Sequence, residues 1–420
     1  MPKILDATAT ASQSTRRRAA RGVWLLGPAL VAGVAYLDPG NVASNMTAGA
    51  QYGYLLVWVV VLGNLMAWLI QYLSAKLGVV TGESLPEVLG RRITRRRARI
   101  AYWVQAELVA IATDLAEVIG GAVALNLLFD VPLIVGALIT GAVSMVLLAV
   151  QSRRGARPFE FVIIGLLAII AIGFGAGVVI APPDPGQAAL GLLPRFEGSG
   201  SVLLAASILG ATIMPHAIYA HSALARDRFR LSEDRPSTST LLRATRWDVT
   251  TAMAIAGTVN LAILLLAASV LPGVEGTESL EGAHAAIAAG VGPVIATLFA
   301  VGLLASGLAS TSVGAYAGAE IMHGLLHRRI PLLVRRLISL VPAVVIVMLG
   351  VDPTWALVLS QVVLSFGIPF ALVPLVAVTA RRELLGCYAN RRVTTIAGVI
   401  ASALLIALNI ALLVLTAVGA

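Results

Sequence analysis

Of the 420 residues, 58% are hydrophobic and only 12% charged, and 30 Lys and Arg against 21 Asp and Glu give a net charge of +9. Soluble domains are nearer half apolar and a quarter charged, so this composition excludes an ordinary water-soluble fold and points to the membrane. The lone cysteine, Cys387, excludes an intrachain disulfide, a thiolate metal cluster and a Cys-x-x-Cys redox pair.

Residues 1–22 are polar and basic without an apolar core, so no cleavable signal peptide is expected and the segment is assigned as a cytoplasmic tail. Apolar stretches of twenty or more residues then recur from Trp24 to Thr416, with charge gathered in short clusters between them. Backbone polar groups in hydrocarbon must be satisfied within their own segment, so these stretches predict helices. The period-two alternation of a barrel strand is absent. Eleven spans are expected, at 23–50, 53–79, 100–128, 131–150, 159–180, 201–225, 246–271, 284–326, 331–350, 353–379 and 394–417. The stretch 284–326 is long for a bilayer core of about 30 Å. It is taken as one tilted helix because no charged turn interrupts it; a span plus an interfacial helix is the alternative.

With the N-terminus inside and the C-terminus outside, 29 of the 30 Lys and Arg fall on the cytoplasmic face, and only Arg195 lies outside. The clusters are Lys3 to Arg21, Lys76 with Arg91 to Arg99, Arg153 to Arg157, Arg226 to Arg246, Arg328 to Arg336, and Arg381 to Arg392. The outer loops carry acid, as at Glu275, Glu278 and Glu281. The positive-inside rule therefore accounts for the basic balance, and nucleic-acid binding is not called for.

The first span contains Ala35-Tyr36-Leu37-Asp38-Pro39-Gly40-Asn41. Pro39 removes a backbone donor and Gly40 adds freedom, so the helix is expected to unwind there. Unwinding frees carbonyls beside two further oxygen ligands, Asp38 and Asn41, and a charge at that depth is costly without a partner. The bland reading is a proline kink with Asp38 bonded to a neighbouring helix. In the third span Glu107, Asp114 and Glu117 are spaced by seven and ten residues, which puts them on one stripe. Arg335 and Arg336, just inside the ninth span, are candidate counter-charges for that stripe; interfacial snorkelling is the rival reading.

The outer linker 181–200, with Pro182-Pro183-Asp184-Pro185, separates two sets of five spans. An odd number per set turns the second upside down relative to the first, the build of an inverted-repeat transporter. The domains on this reading are 23–180, the linker 181–200, 201–380, and 381–420 as a cytoplasmic loop with an eleventh span. The second set opens on Gly210-Ala211-Thr212-Ile213-Met214-Pro215-His216, again with proline in mid-helix. Met214 is a soft donor, of little use to Mg²⁺ or Ca²⁺ and of more use to Mn²⁺, Fe²⁺ and later ions. Of the two histidines on this span, His216 adjoins the break and is the candidate proton or gating residue, while His221 is expected to be structural.

Asp38-Pro39-Gly40-Asn41 paired with Met214-Pro215-His216 resembles the Nramp family of proton-coupled metal-ion transporters. The likeness extends through Gly49-Ala50-Gln51-Tyr52-Gly53-Tyr54, Thr113-Asp114-Leu115-Ala116-Glu117 and Leu359-Ser360-Gln361, and is nearest the bacterial manganese-importing branch. The resemblance implies an all-α, LeuT-like membrane fold of two inverted five-helix repeats plus an eleventh helix. It implies metal ligation by the side chains of Asp38, Asn41 and Met214, by the carbonyls of Ala35 and Ala211, and by Gln361 in occluded states. It also implies a proton route from Asp38 toward Asp114, with Glu117, Arg335 and Arg336 taking part. Ala217 stands where many relatives have a polar residue. The expected cargo is Mn²⁺, with Fe²⁺, moved with protons across a bacterial inner membrane. No resident cofactor is expected, and a monomer would suffice. A sodium-coupled amino-acid or amine carrier on the same scaffold and a channel are the rival transport readings. An embedded enzyme lacks support, since no His-Glu-x-x-His or Gly-x-Ser-x-Gly element is present.

Overall fold

The computed structural model describes residues 28–154, 156–230, 236–328 and 330–418. The tail 1–22, the first five residues of the expected first span, and Arg235 and Arg329 lie outside the described residues. Among the described residues every regular element is helical. The first span is split into α1 (Pro28–Val34), a 3-10 turn (Ala35–Leu37) and α2 (Pro39–Tyr52). There follow α3 (Val57–Thr81), α4 (Leu85–Arg92), α5 (Arg96–Phe129), α6 (Leu133–Arg154) and α7 (Ala156–Ile180). A short α8 (Pro185–Leu190) lies in the linker. The sixth span is split into α9 (Gly198–Thr212) and α10 (Pro215–Arg230). Then come α11 (Thr238–Val270), α12 (Leu280–Gly290), α13 (Pro293–Leu326), α14 (Leu332–Met348), α15 (Pro353–Thr379), α16 (Arg382–Leu385) and α17 (Arg392–Val418).

Seven stretches are long and apolar enough to cross a membrane: α3, α5, α9 with α10 as a broken pair, α11, α13, α15 and α17. Helices stand at the other four expected spans as well. One expectation is corrected. The stretch 284–326 is not a single helix: α12 ends at Gly290, and α13 starts afresh at Pro293. Gly292 between them adopts φ 125°, a conformation open to glycine, and Pro293 has no N–H to carry the ladder across. An uncharged glycine-proline pair ends the helix as surely as a charged turn.

The loops gather at two ends, as alternating spans require. At one end Lys76 of α3 bonds Asn390, beyond α15, and Arg226 of α10 pairs with Glu87 of α4 and Glu320 of α13. At the other, the Trp58 N–H donates to the Gly191 carbonyl at 2.9 Å, and the Leu280 N–H donates to Thr354 Oγ1 at 2.9 Å. Between the ends, the split first span lies against the split sixth span, α2 on α9 and α1 on α10. The bundle is completed by α5 packed on α13, α10 on α3, and α15 on α9, so both breaks lie inside one continuous apolar core. The eleventh span, α17, packs on α15 and α9 at the edge.

Candidate metal centre and proton network

Each break follows from a proline. In a regular helix the N–H of residue i satisfies the carbonyl of residue i−4. Pro39 therefore leaves the Ala35 carbonyl without its donor, and Pro215 does the same to Ala211. Those are the two carbonyls that the family resemblance implies as ligands. Asp38 is extended (φ −70°, ψ 164°) and caps α2, its Oδ1 accepting the Asn41 N–H at 2.7 Å. Its other oxygen, Oδ2, accepts from Gln361 Nε2 of α15 at 3.1 Å. Asp38 is fully buried, yet no Lys, Arg or His forms an ion pair with it among the described residues.

Asn41 joins the two breaks. Its amide nitrogen donates to the Tyr36 carbonyl and, at 3.4 Å, to the Ala211 carbonyl of α9. Its oxygen accepts from Asn45 Nδ2 at 2.8 Å. The side-chain orientation follows the hydrogen-bond network, which puts a donor between two carbonyl oxygens. Met214 is fully buried in the gap between α9 and α10. Gln361 Oε1 is buried without a hydrogen-bond partner. Gly40 makes room for Gln361, because a Cβ there would overlap the Gln361 amide.

The unwound turn is held by residues that the sequence did not point to. Asn260 Nδ2 of α11 donates to the Tyr36 carbonyl at 3.1 Å, and Ser306 of α13 donates to the Leu37 carbonyl. The Tyr36 hydroxyl bonds Gln71 of α3, whose Oε1 lies 2.6 Å from His221 Nδ1. His221, expected to be structural, thus ends a polar chain that begins at the break. His216 is buried with Nδ1 3.1 Å from Thr113 Oγ1 of α5, and its Nε2 has no partner. Their separations of up to 269 residues leave no local signal in the sequence.

The third-span stripe is confirmed as a face. Arg336 is buried, and its Nη1 donates to Asp114 Oδ1 at 2.7 Å and Glu117 Oε2 at 3.1 Å. Its Nε donates to Ser144 Oγ at 2.9 Å and its Nη2 to Thr311 Oγ1 at 3.2 Å. Arg335 pairs with Glu107 at 2.8 Å. Snorkelling is thereby ruled out for Arg336. Gly318 of α13 gives Arg335 its passage, since a Cβ there would overlap the guanidinium. Two carboxylates on one guanidinium leave the Arg336 cluster with one negative charge in surplus, which one proton neutralises.

At the end that holds Lys76, a second ionic cluster closes the bundle. Arg226 pairs with Glu87 at 2.6 Å, Asp227 at 2.8 Å and Glu320 at 3.1 Å, tying α10 to α4 and α13. Burial raises the Glu87 carboxyl's pKa, but the Ser84 backbone N–H and the Arg226 guanidinium outweigh it and hold the group below its usual 4.5. At the opposite end a cavity of 310 Å³ lies along the outer half of α2. Thr47 and Gln51 line it together with two acidic side chains, Glu278 and Asp352.

Comparison with known proteins places the chain among metal carriers. The family described as Natural resistance-associated macrophage protein-like (Nramp) matches residues 29–415. The divalent metal cation transporter MntH of Mycobacterium tuberculosis H37Rv is 58% identical over 408 residues, covering 97% of this chain and 95% of that protein. MntH of Bacillus subtilis strain 168 is 46% identical over 392 residues, covering 93% and 91%. The crystal structure of the Eremococcus coleocola manganese transporter, in complex with an aromatic bis-isothiourea substituted compound, superposes with a TM-score of 0.80. The two chains are 32% identical, with 92% of this one and 85% of that one covered.

Proposed function

The chain belongs to the Nramp family, and from that premise we propose that it imports divalent transition-metal ions, Mn²⁺ foremost and Fe²⁺ with it, by proton-coupled alternating access. The observation that carries this reading is the fully buried Asp38 carboxylate, held by neutral donors alone where two helix breaks meet. A buried carboxylate without a counter-cation is costly and is relieved by a proton or a bound cation. Asp38, Asn41, Met214 and Gln361, with the Ala35 and Ala211 carbonyls, supply hard oxygens and one soft sulfur. That set suits a labile transition-metal dication.

On this reading the ion enters through the cavity along α2, where Glu278 and Asp352 favour cations. It sheds water to the breaks at the inner end of α2, and Asn41 turns its amide so that oxygen faces the metal. A proton displaced from Asp38 passes toward Asp114 and Glu117, whose cluster has room for one. His216, Arg335 with Glu107, and Arg336 line the same route. Release then requires the Arg226 ties to Glu87 and Glu320 to part. A membrane potential, inside negative, favours entry by about 2.3 kcal/mol per charge per 100 mV, about 4.6 for a dication. The positive-inside bias assigns the Lys76 end to the cytoplasm of a bacterial inner membrane, with the N-terminus inside and the C-terminus outside. The breaks open the expected five-helix sets 23–180 and 201–380, which supports the inverted repeat. The metal is cargo; no resident cofactor is called for, and the site is complete in one chain.

Asp38→Asn keeps the shape and removes the charge. Reconstituted in liposomes, it should abolish Mn²⁺ uptake while the protein remains folded. Uptake at the wild-type rate would end this assignment. Amino-acid uptake by the unsubstituted protein would instead favour the amine-carrier reading.

A further inference from the structure

At the Lys76 end a cavity of 450 Å³ opens between the last turns of α3, the first turns of α11 and the segment joining α15 to α17. Lys76, Arg246 and Arg391 line it together with Tyr72, Tyr388 and Asn390, and no lining residue is acidic. Lys76 is buried, and its ammonium donates to the neutral Asn390 side chain. No carboxylate pairs with Lys76, Arg246 or Arg391 among the described residues. A buried ammonium whose partner is a neutral amide, with two exposed guanidiniums lining the same cavity, favours an anion there.

The cavity does not stop at its basic end. It shares Trp68 with a second groove, of 340 Å³, that continues along α3 and α11 between Val61, Leu65, Met253, Ala254 and Leu261. Trp68 forms the junction. Its Nε1–H donates to Thr250 Oγ1 at 2.9 Å, its ring stacks on Tyr72 at 6.5 Å, and Arg246 lies 5.8 Å from its centroid. The fifteen residue steps of α3 from Val61 to Lys76 span about 22 Å at 1.5 Å each. That is half the 40–45 Å of a bilayer with its headgroups, the length of a single leaflet.

We propose that the two grooves together bind one anionic phospholipid, its phosphate on Lys76, Arg246 and Arg391 and an acyl chain between α3 and α11. Basic pockets between membrane helices on the cytoplasmic side recognise such headgroups. The apolar continuation assigns the phosphate to a lipid, since a soluble phosphate would use the basic cavity alone.

The test is lipid titration of the full-length protein in detergent, followed by native mass spectrometry. Phosphatidylglycerol should bind at least tenfold tighter than phosphatidylcholine. Arg246→Gln and Arg391→Gln, both at exposed positions, should each weaken phosphatidylglycerol about fivefold. Ala254→Trp, also exposed, fills the apolar groove and should weaken the same lipid with all three cations intact. Equal binding of the two lipids, or unchanged binding in the arginine variants, overturns the headgroup site. Unchanged binding in Ala254→Trp, or inorganic phosphate displacing the lipid at equal concentration, overturns the lipid assignment.

Discussion

Replacing Arg336 by methionine tests whether the third-span acids are held as ions. The guanidinium makes four hydrogen bonds inside the bundle, to Asp114, Glu117, Ser144 and Thr311. Methionine fills much of the volume but leaves two buried carboxylates facing an apolar side chain. Breaking a buried ion pair from one side costs about 3–5 kcal/mol. The orphaned acids survive in the bundle only by taking up protons, which caps the loss. Acidification should therefore shrink the penalty, by at most about 1.36 kcal/mol per pH unit for each carboxyl. Adding Asp114→Asn and Glu117→Gln removes both charges, and the triple variant should recover most of the stability, because neutral replacements of a buried ionic cluster are often tolerated. Tryptophan fluorescence during unfolding in mild detergent reads the stability, and a pH dye in liposomes reads proton flux. Arg336→Met should lose both. If it unfolds like the unsubstituted protein at neutral pH, or if the triple variant is no more stable than the single, the acids are not held as ions by Arg336.

Met214→Ala should retain Mn²⁺ transport but lower the preference for Mn²⁺ over Ca²⁺ about tenfold, or about 1.4 kcal/mol, in competition uptake, since the soft donor discriminates. Unchanged discrimination would move selectivity to other residues. Gly40→Ala drives a Cβ into Gln361 and should cut Mn²⁺ uptake at least about tenfold with little change in unfolding temperature, because only a side chain has to move. Normal uptake would remove Gln361 from the site. Glu87→Gln tests the Arg226 cluster through pH. The folded carboxyl lies below its usual 4.5, so its stabilisation is complete above that value and is lost as the pH falls through the lower folded one. The stability gap between the two proteins should be present at neutral pH and narrow as the pH falls below 4.5; a gap that is constant with pH would contradict the pairing.

Most of the LeuT-like, all-helical fold was legible because hydrocarbon forces long apolar runs into helices, and charge marks where they end. The reasoning failed at Gly292-Pro293 for the same cause: a turn without charge was invisible to a rule that looked for charge. Both breaks were legible because proline leaves a local mark, and the i−4 spacing singles out Ala35 and Ala211 in the structure. The Glu107–Asp114–Glu117 stripe was legible as a helical face, and its pairing with Arg335 and Arg336 is observed. Tyr36, Gln71, Thr113, Asn260 and Ser306 were not, because their contacts join distant helices and no spacing announces them. The Arg226 cluster was dissolved in a general count of basic residues, where Glu87 and Glu320 drew no notice.

The Asn41 amide bears on the unloaded half of the transport cycle. A carrier that has delivered its ion must travel back vacant, and bare oxygens facing one another would resist that journey. Here an NH₂ group sits among the oxygens of Tyr36 and Ala211 and lends them the positive end they lack. That neutral donor offsets the repulsion between the two carbonyls, while the buried Asp38 carboxylate still calls for a proton or a cation, so a metal that takes the carbonyls as ligands must first displace the Asn41 NH₂.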